Sequence, residues 1–185
     1  GTWNIGVKAP FSPAATEAYP HTLPTFDFDT NLTLGTASGA DAVADNQATE
    51  TVDGVTVTVE YSGGTIGSAA YNTQNLTGQT LYNASGGNDT ITQITVTFDT
   101  AIDVTQFVFG DASVTATGTF TYTPIGGGST INVSFGSFDN AATDVVNPGD
   151  WTGITGFTIT VSDGGANGFD AVLDNIVFRS QLTTR

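Results

Sequence analysis

"VTVTVEY", residues 55–61, alternates strictly: Val55, Val57, Val59 and Tyr61 fall on one side of an extended chain, with Thr56, Thr58 and Glu60 on the other. Successive side chains of a strand point to opposite faces, so this pattern makes a strand with one face in a core and one in water. The alternation recurs in "ITVTF" (94–98), "SVTATGTFTYTP" (113–124), "INVSF" (131–135) and "FTITV" (157–161). In the longest of these, Thr115, Thr117, Thr119, Thr121 and Thr123 share the outward face. Threonine is β-branched and keeps a polar tip, which suits an exposed pleat. Turn sequences part the runs: "VDGV" (52–55), "SGGT" (62–65), "ASGGND" (84–89), "IGGGST" (125–130), "NPGDW" (147–151) and "SDGGANG" (162–168). With no convincing helical period and no internal repeat, about eight to ten strands predict an all-β chain, an antiparallel β-sandwich of the jelly-roll kind. The best helix candidate, the Ala-rich stretch 38–50, reads as a loop.

A chain of 185 residues suits one domain. Residues 26–185 carry the strand pattern and are assigned to a single β-sandwich domain. Residues 1–25 hold four of the six prolines and read as an extended N-terminal segment. Within it, "TWNIGVK" (2–8) alternates Trp3, Ile5 and Val7 with Asn4, Gly6 and Lys8. Residues 1–9 are therefore expected to dock as a strand, either in their own sheet or on the sheet edge of another copy. The chain starts at Gly1 rather than Met, which leads to the expectation of a cleaved leader or longer precursor.

The charge is lopsided: 18 Asp and Glu against 3 Lys and Arg, a net −15. Nucleic acid is excluded as a partner, because neutralising phosphates takes clustered Lys and Arg. No apolar run is long enough to span a bilayer, so membrane insertion is not expected. There is no Cys, and the one His, His21, lies in the proline-rich segment. Nucleophilic triads and histidine-built metal sites are thereby disfavoured. Among so many acids, some pair falls at hydrolase spacing by chance, so carboxylates alone do not indicate catalysis. The expectation is a non-enzymatic protein, and the Thr-, Ser- and Gly-rich, Lys-poor composition points to an extracellular or cell-surface location.

Carboxylates do suit calcium, which takes six to eight oxygens. "VSDGGANGFDAVLDNIVF" (161–178) crowds Asp163, Asp170 and Asp174 among glycines. In "AVLDNIVF" (171–178), Asp174 shares parity with Val172, Ile176 and Phe178. On an apolar face an uncompensated carboxylate is costly, and a cation or backbone donors must balance it. Asp170 and Asp174 stand roughly 13 Å apart along an extended strand, too far for one ion. Asp27 or Asp29 of "FDFDTN" (26–31) is the better partner for Asp174. Calcium is thus the expected cofactor, with Asp27, Asp29, Asp163, Asp170 and Asp174 as candidate ligands. The rival reading makes the loop a plain turn and leaves Asp174 at the rim.

"GFDAVLDNIVF" (168–178) resembles the closing strand of jelly-roll carbohydrate-binding modules, and also that of secreted bacterial surface proteins that continue into a Pro-Glu-Pro sorting tail. The first resemblance implies a structural calcium beside the late Asp–Asn pair, near the first strand, and a polysaccharide partner. Sugar rings stack on exposed aromatics. Trp151, after a Pro-Gly turn, is the first candidate platform, although a Trp there can equally cap the core; Trp3, Tyr71 and Tyr82 also read as loop residues. Sequons at Asn31, Asn75, Asn83, Asn88 and Asn132 are candidate glycosylation sites. Two roles follow. The favoured one is a structural or adhesive cell-surface protein that self-assembles into a filament or matrix, and the other is a calcium-stabilised carbohydrate-binding module.

Overall fold

The computed structural model describes residues 22–35, 45–70, 76, 78–85, 91–111, 118–135, 142–162 and 171–181. All regular elements among them are strands. In chain order they are β1 (Thr25–Phe26), β2 (Thr33–Leu34), β3 (Gln47–Val52), β4 (Val55–Ser62), β5 (Ile66–Ala70) and β6 (Gln79–Asn83). There follow β7 (Gln93–Asp111), β8 (Gly118–Ile125), β9 (Ile131–Phe135), β10 (Ala142–Val146), β11 (Ile154–Ser162) and β12 (Ala171–Ser180). Every pairing is antiparallel, as hairpin-spaced strands with one wet face require.

The alternating segments form one path, β2-β3-β4-β7-β11-β8-β9. Its β3–β4 hairpin turns on Asp53 and Gly54, with φ of 49° and 77°, the left-handed pair that an Asp-Gly turn supplies. β7 runs for 19 residues. Its first part lies between β4 and β11, whereas from Ile102 onward it pairs with β12, and its end also takes β10. β12 pairs in turn with β6 and β1, and β6 with β5. One strand thus belongs to both layers, giving a sandwich-like stack nearly closed on itself.

Aromatic rings fill the space between the layers. Phe107 of β7 stacks on Phe157 of β11 with centroids 4.9 Å apart, and Phe109 meets Phe120 of β8 edge-on, also at 4.9 Å. At the other end Phe26 of β1 stacks on Phe178 of β12 at 4.6 Å and on Phe98 of β7 at 6.1 Å. Such contacts add to the burial of large apolar area.

Two irregularities set which side chains reach this core. In β7 the buried series Ile94, Val96, Phe98, Ile102, Val104 changes parity to Phe107 and Phe109. The change occurs where Phe178 pairs with Val104 but Val177 with Gln106, leaving Thr105 as the extra residue. In β12 the step from Asp174↔Val108 to Val177↔Gln106 inserts one residue beside Asn175, whose φ is 51°. An extra residue in one strand flips every later side chain to the other face. Ala171 and Leu173 therefore share the core with Ile176 and Phe178, while Val172 packs with Val108 and Leu76 on the opposite face.

One expectation is corrected. Stretch 38–50 does not end as a loop, because Gln47–Glu50 belong to β3. Ala48 lies opposite Val59 and Glu50 opposite Val57, so burial on the sandwich face overrides the stretch's weak local strand signal. At the register irregularity between Ile154 and Gly156, a Cβ on Gly156 would collide with the Val96 carbonyl oxygen. Gly156→Ala is expected to cost about 1–3 kcal/mol, read as a lower denaturant midpoint. An unchanged midpoint would show that the β7–β11 seam can widen.

Candidate functional site

The seam where the chain's first and last described strands meet holds the most unusual chemistry. Thr25 and Phe26 pair with Val177 and Ile176, and the Phe178 amide donates to the Pro24 carbonyl at 3.0 Å. Beyond β1 the backbone turns at Phe28, whose φ of 54° is rare for a bulky residue. That turn keeps the Phe28 ring in the core and lets its amide donate to Glu50 Oε2 at 3.1 Å. Asp27 Oδ1 accepts from the Asp29 amide at 3.1 Å, and the Asp29 carboxylate accepts from the Gln79 amide. Gly78 makes that last approach possible, because a Cβ there would strike the Asp29 carboxylate.

Asp174 is 0% exposed. Its Oδ2 accepts from Thr80 Oγ1 at 3.3 Å and from Asn175 Nδ2 at 3.1 Å, and its Oδ1 from the Asn175 amide at 2.8 Å. The left-handed Asn175 thus supplies two donors to the carboxylate before it. Glu50 is 1% exposed, and its Oε1 has no hydrogen-bond partner. A buried acceptor left unsatisfied is destabilising, the more so when ionised.

Both buried carboxyls are pushed up to about 7. For Glu50 the chief cause is burial, opposed by the Phe28 amide and reinforced by Asp27 and Asp29. For Asp174 it is again burial, opposed by Asn175 and Thr80 and reinforced by Asp29 and Asp27. Glu50 of β3 and Asp174 of β12 therefore both feel Asp27 and Asp29, so that carboxylates from three separate segments act across the seam. Among the described residues Arg179 is the sole cationic side chain, and it stands opposite Asp103 farther along β12. Among the described residues no group of three or more His, Cys, Asp or Glu side chains is placed so that it could hold a metal ion. A full shell of six to eight oxygens here would draw on backbone carbonyls and water.

The sequence expectations fare unevenly. Asp27, Asp29 and Asp174 are brought into one neighbourhood, by the β1–β12 pairing. Asp174 is buried, but not for the reason that parity gave: the extra residue at Asn175 turns it away from Ile176 and Phe178, toward the side of Val108 and Thr80. Asp163 and Asp170 lie outside the described residues, as do His21, residues 1–9, Trp3, Tyr71, Asn75 and Asn88. Glu50 escaped the sequence reading. Its signal was present in "QATETV" (47–52), where alternation sets Glu50 on the same side as Ala48 and Val52.

Trp151 is not an exposed platform. It is 1% exposed, stacks on Phe107 at 5.8 Å and donates Nε1–H to the Ser129 carbonyl at 2.8 Å. Tyr82 is a half-buried member of β6 rather than a loop residue. Among the sequons, Asn31 and Asn132 are exposed. Asn83 is only 7% exposed and its Oδ1 accepts from the Ser85 amide at 3.2 Å, leaving little room for a glycan. No described helix is long and apolar enough to cross a membrane. Comparison with known protein families and with curated proteins finds no match.

Proposed function

We propose that this chain is a non-enzymatic extracellular β-sandwich with a structural or adhesive role at a cell surface, its closing seam locked by calcium. The observation that carries the reading is Glu50: a buried carboxylate whose Oε1 has no hydrogen-bond partner, under the influence of Asp27 and Asp29, which also act on buried Asp174, with no described cation to balance them. A divalent ion among these oxygens would turn mutual repulsion into attraction. It would tie the segment after β1, β3 and β12 together through one charge. Asp27, Asp29, Glu50 and Asp174 are the proposed side-chain ligands. Millimolar affinities are ordinary for extracellular calcium modules, so the lock would fill outside a cell. Exposed sequons at Asn31 and Asn132 fit the same location. Self-assembly through residues 1–9 remains part of this reading. With Trp151 in the core, the carbohydrate-module alternative lacks its candidate sugar platform and rests on the closing-strand likeness and the Asp-rich loops.

Glu50→Gln tests the proposal, since it keeps the volume and removes the charge. In chelator at pH 8 the variant is expected to be more stable than the parent, on the order of 2 kcal/mol. Calcium at a hundred times its dissociation constant should add about 2.7 kcal/mol to the parent and far less to the variant. Thermal melts of both proteins, with and without calcium, supply the four values. An equal calcium increment in both would remove Glu50 from the site.

A further inference from the structure

β1 is held in the fold by a side chain more than by its backbone. It is a strand of two residues, Thr25–Phe26. Thr25 lies opposite Val177 and Phe26 opposite Ile176, and the Pro24 carbonyl accepts from the Phe178 amide. Pro24 has no N–H to return, so regular pairing stops there. The Phe26 ring, by contrast, is 0% exposed and stacks on both Phe178 of β12 and Phe98 of β7. A short ladder with one large buried anchor makes a plug, and local opening draws on such weakly laddered segments.

The turn behind the plug is strained. Residues 27–32 lead from β1 to β2 and include Phe28, with φ of 54°, and Asn31, with φ of 60°. Left-handed backbone is tolerated by Asn but is an outlier for a bulky residue such as Phe. Phe28 is kept there by its buried ring and by its amide bond to Glu50 Oε2. Straightening the turn would return both residues to ordinary backbone. Short connections under strain favour exchange of the element they hold between molecules.

We infer that β1 is an exchangeable strand: one copy of the chain withdraws β1 from its own slot and seats it against β12 of a second copy. The slot itself fixes the occupant. It takes a phenyl ring against Phe178 and Phe98 and a carbonyl on the Phe178 amide, and the same strand of another molecule supplies both. The contacts of β1 are the same in the exchanged form. The balance therefore sets relief of the turn against the entropy of joining two copies. Exchange gains from high concentration and from copies held together on a surface. A straightened turn of six residues reaches about 20 Å, which bounds the distance between the two slots. The inference rests on the self-assembly in the proposed role and gives it a contact besides residues 1–9. It does not depend on calcium.

The chain has no Cys, so introduced cysteines report the contact directly. Phe178 bonds to Pro24, which makes Thr25 and Val177 the adjacent non-hydrogen-bonded pair. Such pairs stand about 4.5 Å apart at Cα, within disulfide reach. Thr25→Cys and Val177→Cys are made as two separate full-length proteins, mixed in chelator at high concentration and oxidised. A covalent heterodimer on a non-reducing gel is expected from the mixture, with little from either protein alone. Thr123→Cys, exposed on β8, replaces Thr25→Cys in the control for random collision and should give little heterodimer. Asn31→Pro, which bars left-handed backbone from the exposed turn, should raise the heterodimer yield severalfold. Far-ultraviolet circular dichroism checks that each variant keeps the sandwich. A heterodimer yield no greater than the control at every concentration overturns the inference, as does a yield that falls with Asn31→Pro. Assembly seen by sedimentation without the 25–177 link would overturn exchange alone and leave self-assembly through residues 1–9 standing.

Discussion

In chelator, the protein is expected to melt at a lower temperature at pH 8 than at pH 5.5, and saturating calcium is expected to reverse that order. Glu50 and Asp174 are both pushed up to about 7 in the folded chain, chiefly by burial. Unfolded, they titrate near the ordinary values of about 4. Between those limits the folded chain holds protons that the unfolded chain has released, so stability falls as pH rises. The loss is complete above the folded values, and on the order of 3 kcal/mol for the pair. For a domain of this size that is roughly 5–10 °C. Repulsion among the many exposed carboxylates has the same sign, so the discriminating sample is Glu50→Gln, whose slope in chelator should be shallower. Bound calcium inverts the sign, because an ion on the carboxylates holds them ionised and protons must displace it. Identical melting curves with calcium and with chelator at pH 8 would end the calcium reading. A slope unaltered by Glu50→Gln would assign the pH dependence to the surface alone.

Trp151→Ala is expected to be the most damaging single substitution considered, at about 3–5 kcal/mol. The indole is enclosed by Phe107 and by Phe157, whose centroid lies 5.3 Å away. Its Nε1–H satisfies the Ser129 carbonyl, and its own carbonyl accepts from the Val104 amide at 3.1 Å. Removing the ring opens a cavity between the layers and leaves the Ser129 carbonyl without its donor. The melting temperature should fall by roughly 6–15 °C. Trp151→Phe, which restores much of the volume but not the donor, should lose clearly less. A near-unchanged melt for the alanine variant would contradict the packing and return Trp151 to the list of surface platforms.

The alternation in residues 55–61, 94–98, 131–135 and 157–161 determined the strands, because a strand with one wet face must write a period of two into its own sequence. The Asp53–Gly54 turn was legible for the same local reason: only a few residue types accept left-handed backbone. The charge balance bounded the partners. What alternation does not encode is which strands become neighbours. The passage of β7 through both layers, the pairing of β1 with β12, and hence the approach of Asp27 and Asp29 to Glu50 and to Asp174 arise from contacts between segments far apart in sequence. Asp174 shows the limit most clearly. Its burial was legible, but its face was set by one extra residue beside Asn175, which sequence parity counts as though the strand were regular. Trp151 shows the other limit, since a Trp after a Pro-Gly turn reads alike as platform or as core. Only the positions of Phe107 and Phe157, delivered by other strands, decide between them.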